Sequence, residues 1–268
     1  MARGRVAIES RAMTPGQIAA LVVSSFAAGV MNAMAGGGTI LTYPTLLWLG
    51  ESAITANATS TVALWPGAAS SLFGYRQDVL RHRGWLKTLF LPSLFGGALG
   101  AALLLKTPPR AFQHLAPFLI LFATVLFMLR GAVARWTRAE NSAGKSPGRL
   151  ALAIAFQFGV SVYGGYFGAG IGILMLAVLG FLGLSDIHAS NGLKNFFAMC
   201  INGVAAGYFI LRGAVDWHAA VIMVAGSIVG GYAGARFARR LGQDRARAAV
   251  IVIGFVVAGI LLYQTFLR

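Results

Sequence analysis

Acidic side chains are the scarcest chemistry in this chain: seven Asp and Glu stand among 268 residues. All seven (Glu9, Glu51, Asp78, Glu140, Asp186, Asp216 and Asp244) fall in termini, connecting stretches or the ends of apolar segments. An apolar interior without carboxylates argues against an acidic proton relay and against a cation pathway. Coupled protons, if any, would travel on the substrate as a weak acid, or through Tyr or His. A single cysteine, Cys200, excludes an intrachain disulfide and any zinc-type cysteine spacing. No HExxH, nucleophile–base pair or metal cluster is visible, so enzymatic activity is not expected and no cofactor is implied. Charge as a whole is sparse, 11% of residues against about 25% in a typical soluble domain.

What is present is apolar sequence, 57% of the chain, with a mean hydropathy of +0.74. The apolar runs are long and continuous rather than alternating, which defines an all-α polytopic membrane protein with the lipid bilayer as its surroundings. The net charge of +15 does not point to nucleic acid, because the basic residues lie between apolar segments, as positive-inside loops do. The N-terminus is short and basic and has no clear cleavage site, so a removed signal peptide is not expected.

Residues 1–13 read as a polar basic arm. Thr14, Pro15 and Gln17 read as N-cap, first-turn proline and capping-box partner. Repeat 1 is expected over 14–130, with apolar segments at about 17–35, 39–50, 54–74, 86–105 and 112–129 and a basic loop at Arg76, Arg81, Arg83 and Lys87. A basic loop, 131–149, joins it to repeat 2 over 150–268. There a run at 150–184 is followed by segments at about 187–211, 217–235 and 248–267, with Ser185-Asp186 as a helix cap and a basic loop at 236–247. Counting each broken run once gives about eight hydrophobic segments.

The centre of the pattern is Ala35-Gly36-Gly37-Gly38-Thr39, which interrupts the first run. Three glycines are unfavourable in a helix by roughly 1 kcal/mol each against alanine. A helix that breaks inside a membrane must re-satisfy its freed backbone with protein, water or ligand. The second run breaks at Gly164–Gly172. Adding 134 to a residue number maps Ala35, Gly36, Gly38, Asn57, Ser93, Gly96, Gly97, Gly100 and Ala101 onto identical residues, nine identities over positions 35 to 101. Two halves with interrupted segments at matching places point to two homologous repeats and to a transporter's binding site. If each broken run is a re-entrant hairpin, the repeats are inverted and every dense basic cluster shares one side. If each spans once, the repeats are parallel. The inverted arrangement is favoured.

The breaks Gly36–Gly38 and Gly168–Gly172 could present helix N-termini to an anion; their other reading is close packing by small residues. Gly96/Gly100 and Gly226/Gly230/Gly234, spaced by four in regular segments, read as packing glycines. Asn57 and Asn191 occupy equivalent places, and either bind substrate or pin the broken backbone. Thr59, Ser60 and Thr61 are weaker candidates, since hydroxyls bond back to their own helix. Lys194 lies about 12 Å into its helix at 1.5 Å per residue and is the one Lys or Arg well inside an apolar segment. It reads as the cation of an anion site, with snorkelling as the alternative. His82, His114, His188 and His218 read as interfacial. Tyr43, Tyr163 and Tyr166 flank the breaks, as pocket lining or as packing.

The stretches GVMNAMAGGGTILTYPTLLWLG, ANATSTVALWPG, YGGYFGAGIGILMLAVLGFLGLSDIHASNGLKN and GGYAGARFARRL resemble the TauE/SafE sulfite-exporter-like family, over about residues 17–266. The resemblance implies a cytoplasmic-membrane carrier that exports sulfite, sulfonates or related small anions. Its motif positions fall here on Asn32, Gly36, Gly37, Gly38, Pro44, Asn57, Thr59, Gly168, Gly170 and Gly172. The second half departs from the better-known pattern at Ser190–Asn195 and carries Val178 at the equivalent of Pro44, so the chain resembles a subgroup. The expected site joins these positions to Thr39, Asn191, Lys194 and Asn195, around a small anionic substrate. A homo-oligomer is compatible with the reading. An anion channel or a non-transporting membrane scaffold subunit is the alternative.

Overall fold

A computed structural model describes residues 13–34, 36–81, 83–139, 147–184, 186–237 and 243–266. Most of the expected arm 1–13, and Ser185, Arg239 and Arg240, lie outside the described residues. Ten helices are present among those residues: α1 Pro15–Met34, α2 Thr39–Trp48, α3 Ala53–Arg81, α4 Arg83–Lys106, α5 Pro109–Ala139, α6 Pro147–Tyr166, α7 Ile171–Phe181, α8 Ile187–Leu211, α9 Trp217–Phe237 and α10 Gln243–Phe266. No strand occurs among the described residues. Helix α1 opens with a reciprocal capping box: Thr14 N–H donates to Gln17 Oε1 at 2.9 Å, and Gln17 N–H to Thr14 Oγ1 at 3.3 Å.

Both broken runs become a long and a short helix, α1–α2 and α6–α7, which turns eight apolar runs into ten helices. Gly36 and Gly37 have φ of 77° and 116°, and Gly168 and Gly170 have 82° and 76°. These are left-handed conformations in which a side chain would be strained. After the first break the chain folds back on α1: a Cβ on Gly38 would stand 2.6 Å from the carbonyl oxygen of Ala28, ten residues earlier.

Several helices outrun their apolar segments. Helix α3 continues to Arg81 and α4 begins at Arg83, so the expected loop around Arg76 and Lys87 is largely helical. Helix α5 continues to Ala139 and α6 begins at Pro147, which leaves 140–146 of the expected loop 131–149 outside the described residues. Hydropathy marks the thickness of the apolar layer, whereas Ala- and Arg-rich sequence keeps a helix going beyond it.

The burial pattern is inverted relative to a soluble protein. Leu211, Phe73 and Phe95 are 86%, 68% and 66% exposed, while Ser25, Asn57, Thr59, Ser60, Ser93 and Ser227 are fully buried. Five stretches are long and apolar enough to cross a membrane: Pro15–Met34, Gly84–Lys106, Pro109–Leu129, Ala189–Leu211 and Trp217–Arg236. Leu150–Tyr166, Ile171–Phe181 and Val250–Phe266 are shorter apolar helices. The chain is thus an all-α, multi-pass membrane protein. Helix α3, the second longest, is missing from the spans because its Asn, Thr and Ser positions lower its mean hydropathy; Asn57, Thr59, Ser60 and Thr61 among them are buried.

Packing exchanges elements between the halves. Helix α9 lies along α1 and α3, while α4 lies along α6 and α8; α3 meets α8, α5 meets α7 and α10, and α10 meets α2. Helices approach closely where Gly100 faces the Val162 carbonyl, Gly230 the Phe26 carbonyl and Gly234 the backbone of Val30. The glycines spaced by four are therefore packing positions, where a missing Cβ lets backbones touch. Ser227 Oγ donates to the Ala63 carbonyl at 2.6 Å and Trp65 Nε1 to the Met199 carbonyl at 3.1 Å, tying the same exchanged helices.

Candidate functional site

Each break is held by a different device. At the first, Asn32 in the last turn of α1 turns its amide oxygen onto the freed backbone, accepting from Gly37 N–H at 3.0 Å and Gly38 N–H at 2.7 Å. The two N–H groups just ahead of α2 are thus satisfied within the chain. At the second, position 166 is Tyr and offers no such cap. Here the Tyr163 hydroxyl donates to the Ala169 carbonyl at 2.6 Å, and Asn57 Nδ2 of α3 donates to the Tyr166 carbonyl at 3.0 Å. The two breaks touch: a Cβ on Gly36 would lie 2.8 Å from Gly172 Cα. Gly37 packs on the Phe127 ring and Gly170 on Ala123.

Lys194 sits against this junction and is 1% exposed. Its Nζ donates to the carbonyl oxygens of Asn32 at 3.3 Å and Ala33 at 3.4 Å, and Asn195 Nδ2 donates to the Ala33 carbonyl at 3.2 Å. These carbonyls end α1, where unpaired acceptors and the helix dipole favour a cation. The side chain does not snorkel to a membrane face.

A cavity of about 30 Å³ opens beside Lys194, room for roughly two waters. Asn32, Gly36 and Thr39 come to it from the first break, and Gly168, Ile171 and Gly172 from the second. Thr61, Leu64 and Ala68 of α3 form one wall, and Asn195, Ala198 and Asn202 of α8 the other. Those two trios are the same positions under the 134-residue offset, at helical spacing. One wall is mostly apolar and the other mostly polar.

Seven of the expected site residues therefore line one cavity: Asn32, Gly36, Thr39, Gly168, Gly172, Lys194 and Asn195. Gly37, Gly38 and Gly170 shape the breaks behind it. Asn57 and Thr59 serve the scaffold, Thr59 Oγ1 accepting from Asp216 N–H at 2.9 Å. Asn191 does not line the cavity, and the amide oxygens of Asn57 and Asn191 are both buried without a hydrogen bond. Tyr43 packs edge-on against Phe167 and Phe112, and no tyrosine lines the cavity. Asn202 was missed. Its spacing of seven from Asn195 places both on one helical face and could have found it.

A second ionisable group lies outside the helices. Glu51, between α2 and α3, hydrogen-bonds to the carboxyl of Asp216, between α8 and α9. Burial first, and then the Asp216 charge and hydrogen bond, push the Glu51 carboxyl up from about 4.5 to about 7. His218, whose N–H donates to Asp216 Oδ1 at 2.9 Å, has its ring 3.6 Å from the same oxygen. Among the described residues no group of three His, Cys, Asp or Glu side chains could hold a metal.

Broken helices meeting over a buried lysine, inside a bundle that turns apolar side chains outward, define a multi-pass helical membrane protein with a discontinuous-helix site. The chain belongs to the sulfite exporter TauE/SafE family, whose sequence profile matches residues 21–261. It is 29% identical over 252 residues to a "Probable membrane transporter protein" of Haemophilus influenzae, covering 92% of this chain and 95% of that one. It is 27% identical over 245 residues to "Probable membrane transporter protein ORF9" of Sinorhizobium, covering 90% of each. It is 25% identical over 262 residues to "Probable membrane transporter protein YfcA" of Escherichia coli K12, covering 94% and 92%. No solved structure matches the chain.

Proposed function

We propose that the protein is a secondary transporter that exports a small anion, such as sulfite, a sulfonate or a related organic anion, through a site at the junction of the two breaks. The observation that carries this reading is Lys194, buried and bonded to the Asn32 and Ala33 carbonyls beside a cavity that both broken helices line. An ammonium bonded to the Asn32 and Ala33 carbonyls can exchange those bonds for an anion, because a charge-assisted bond is roughly twice as strong as one between neutral groups. Asn195, Asn202, Thr39 and Thr61 supply hydrogen bonds around it. The membrane potential favours anion exit by about 2.3 kcal/mol per charge per 100 mV. Two inverted repeats, 14–130 and 150–268, would give alternating access by rocking of exchanged helices around this fixed site. Both the fold-back at Gly38 and the exchanged packing of α4 and α9 support that arrangement. A cavity for about two waters favours a carrier over an open anion channel.

The test is uptake of labelled sulfite and methanesulfonate into proteoliposomes under an imposed potential. A carrier gives saturable uptake with counterflow. A channel gives flux without counterflow. A scaffold gives no flux of any small anion, and that result would overturn the reading.

A further inference from the structure

We propose that the end of the bundle where α2 turns into α3 carries a gate: a buried layer of aromatic rings, held shut by a proton-operated latch of Glu51 on Asp216. The inference rests on the transport reading above, and its test separates the two. Tyr43 of α2, Phe112 of α5 and Phe167 of the second break are buried. Tyr43 meets Phe167 edge-on at 5.6 Å and Phe112 edge-on at 6.4 Å between ring centres, and Phe112 meets Phe167 at 6.2 Å. Such contacts are favourable beyond the area they bury. Phe209 of α8 belongs to the same core cluster. Tyr43 stands one turn beyond Thr39 of the cavity, and Phe209 about 10 Å beyond Asn202 at 1.5 Å per residue. The layer therefore lies between the cavity and the Glu51 end. Under the 134-residue offset Tyr43 and Phe167 correspond to Ala177 and Ala33, so the other half does not repeat it.

The latch closes over this layer. Asp216 caps α9, its Oδ1 accepting from His218 N–H at 2.9 Å and its carbonyl from Ala220 N–H at 3.0 Å. Its own N–H donates to Thr59 Oγ1 of α3 at 2.9 Å. A helix N-terminus favours the ionised carboxylate. A hydrogen bond between two carboxyl groups needs one proton, so Glu51 supplies it. Glu51 N–H in turn donates to the Leu46 carbonyl at 3.1 Å, which ties the latch to the helix that carries Tyr43. That helix hangs between left-handed glycines, Gly36 and Gly37 before it and Gly50 after it. Loss of the proton sets two like charges side by side, drives Glu51 off Asp216, and lets α2 draw Tyr43 off Phe167. Also at this end are the His218 ring, 3.6 Å from Asp216 Oδ1, Arg212, stacked 5.2 Å from the Tyr208 ring, and Lys106, Arg110 and His114 around the α4–α5 turn. Asp216 is the charge that acts on Glu51, and with burial it holds Glu51 at about 7 rather than about 4.5. The latch is therefore complete below about 4.5 and lost as pH rises through about 7.

Ala205, fully buried on α8 one turn before Phe209, reports the gate as Ala205→Cys in a Cys200→Ser background. A water-soluble maleimide reaches it when the aromatic layer parts. Glu51→Gln keeps a donor to Asp216 at every pH, so its labelling at each pH also corrects for the thiol's own titration. The labelling rate with Glu51 intact, relative to Glu51→Gln, is expected to rise at least ~10-fold between pH 5.5 and 7.5, because opening releases a proton. Glu51→Ala, with no donor, should label faster than Glu51→Gln at both pH values. A ratio unchanged with pH, or Glu51→Ala as slow as Glu51→Gln, would overturn the latch. The expected labelling in a protein that carries neither methanesulfonate nor sulfite would keep the gate and overturn the transport reading.

Discussion

The side-chain amide of Asn57 donates to the carbonyl of Tyr166 at 3.0 Å, reaching from α3 of the first half to the end of α6 in the second. Under the 134-residue offset the counterpart of this pair is Asn191 with Asn32. There the carbonyl of Asn32 is held instead by Lys194. One break is thus tied across the halves by a neutral amide and the other by a lysine side chain.

Asn57→Ala should destabilise the fold by about 1–3 kcal/mol, because the part-buried Tyr166 carbonyl loses its donor. Thermal unfolding in detergent measures this. An unchanged melting temperature together with lost transport would make Asn57 a substrate ligand rather than a brace.

Asn32→Ala uncaps Gly37 and Gly38 together, at a cost of about 1–2 kcal/mol for a lost helix cap. Transport should fall with it, since the same break carries the carbonyls that hold Lys194. Asn32→Asp keeps the acceptor, and its melting temperature should lie closer to wild type than that of Asn32→Ala.

Glycines here fall into two kinds that a substitution pair can separate. Gly230→Ala places a methyl group against the Phe26 carbonyl, so α9 and α1 must part, at roughly 1–3 kcal/mol. Gly259 of α10 has nothing within 4 Å of the added carbon, so Gly259→Ala should stabilise the helix by about 0.5–1 kcal/mol. Melting temperatures moving in the same direction would contradict the assigned packing.

The Glu51–Asp216 pair gives stability a pH dependence with a definite sign. Glu51 has a folded value raised to about 7 from about 4.5, so between these values the folded state holds a proton that the unfolded chain has released. Stability therefore falls as pH rises from about 4.5 through about 7 and levels off above. Glu51→Gln removes the dependence: the variant should match wild type near pH 5 and melt higher at pH 8. Parallel melting curves across that range would contradict the pairing.

Much of this was legible along the chain, where the physics is local. The capping box at Thr14 and Gln17, both glycine breaks, the packing glycines and the exceptional burial of Lys194 follow from residue type and spacing. What Lys194 bonds to was not legible, because Asn32 lies 162 residues away. The choice of Thr61 over Thr59 for the cavity depends on the rotational phase of α3, which α9 and α8 impose by packing on it. Glu51 and Asp216 were read singly, among acids lying in loops or at the ends of apolar segments. Their pairing exists only once two connecting turns are brought to the same end of the bundle. The helix ends were misjudged because apolarity reports lipid contact and not hydrogen bonding along the backbone.

The central claim is that the anion sits at Lys194, and the most direct measurement is counterflow of labelled methanesulfonate by wild type beside Lys194→Ala and Lys194→Arg. Loss of counterflow in the alanine variant, with partial retention by the arginine variant and similar thermal stability in all three, is the predicted result. Full counterflow by a folded Lys194→Ala would contradict it.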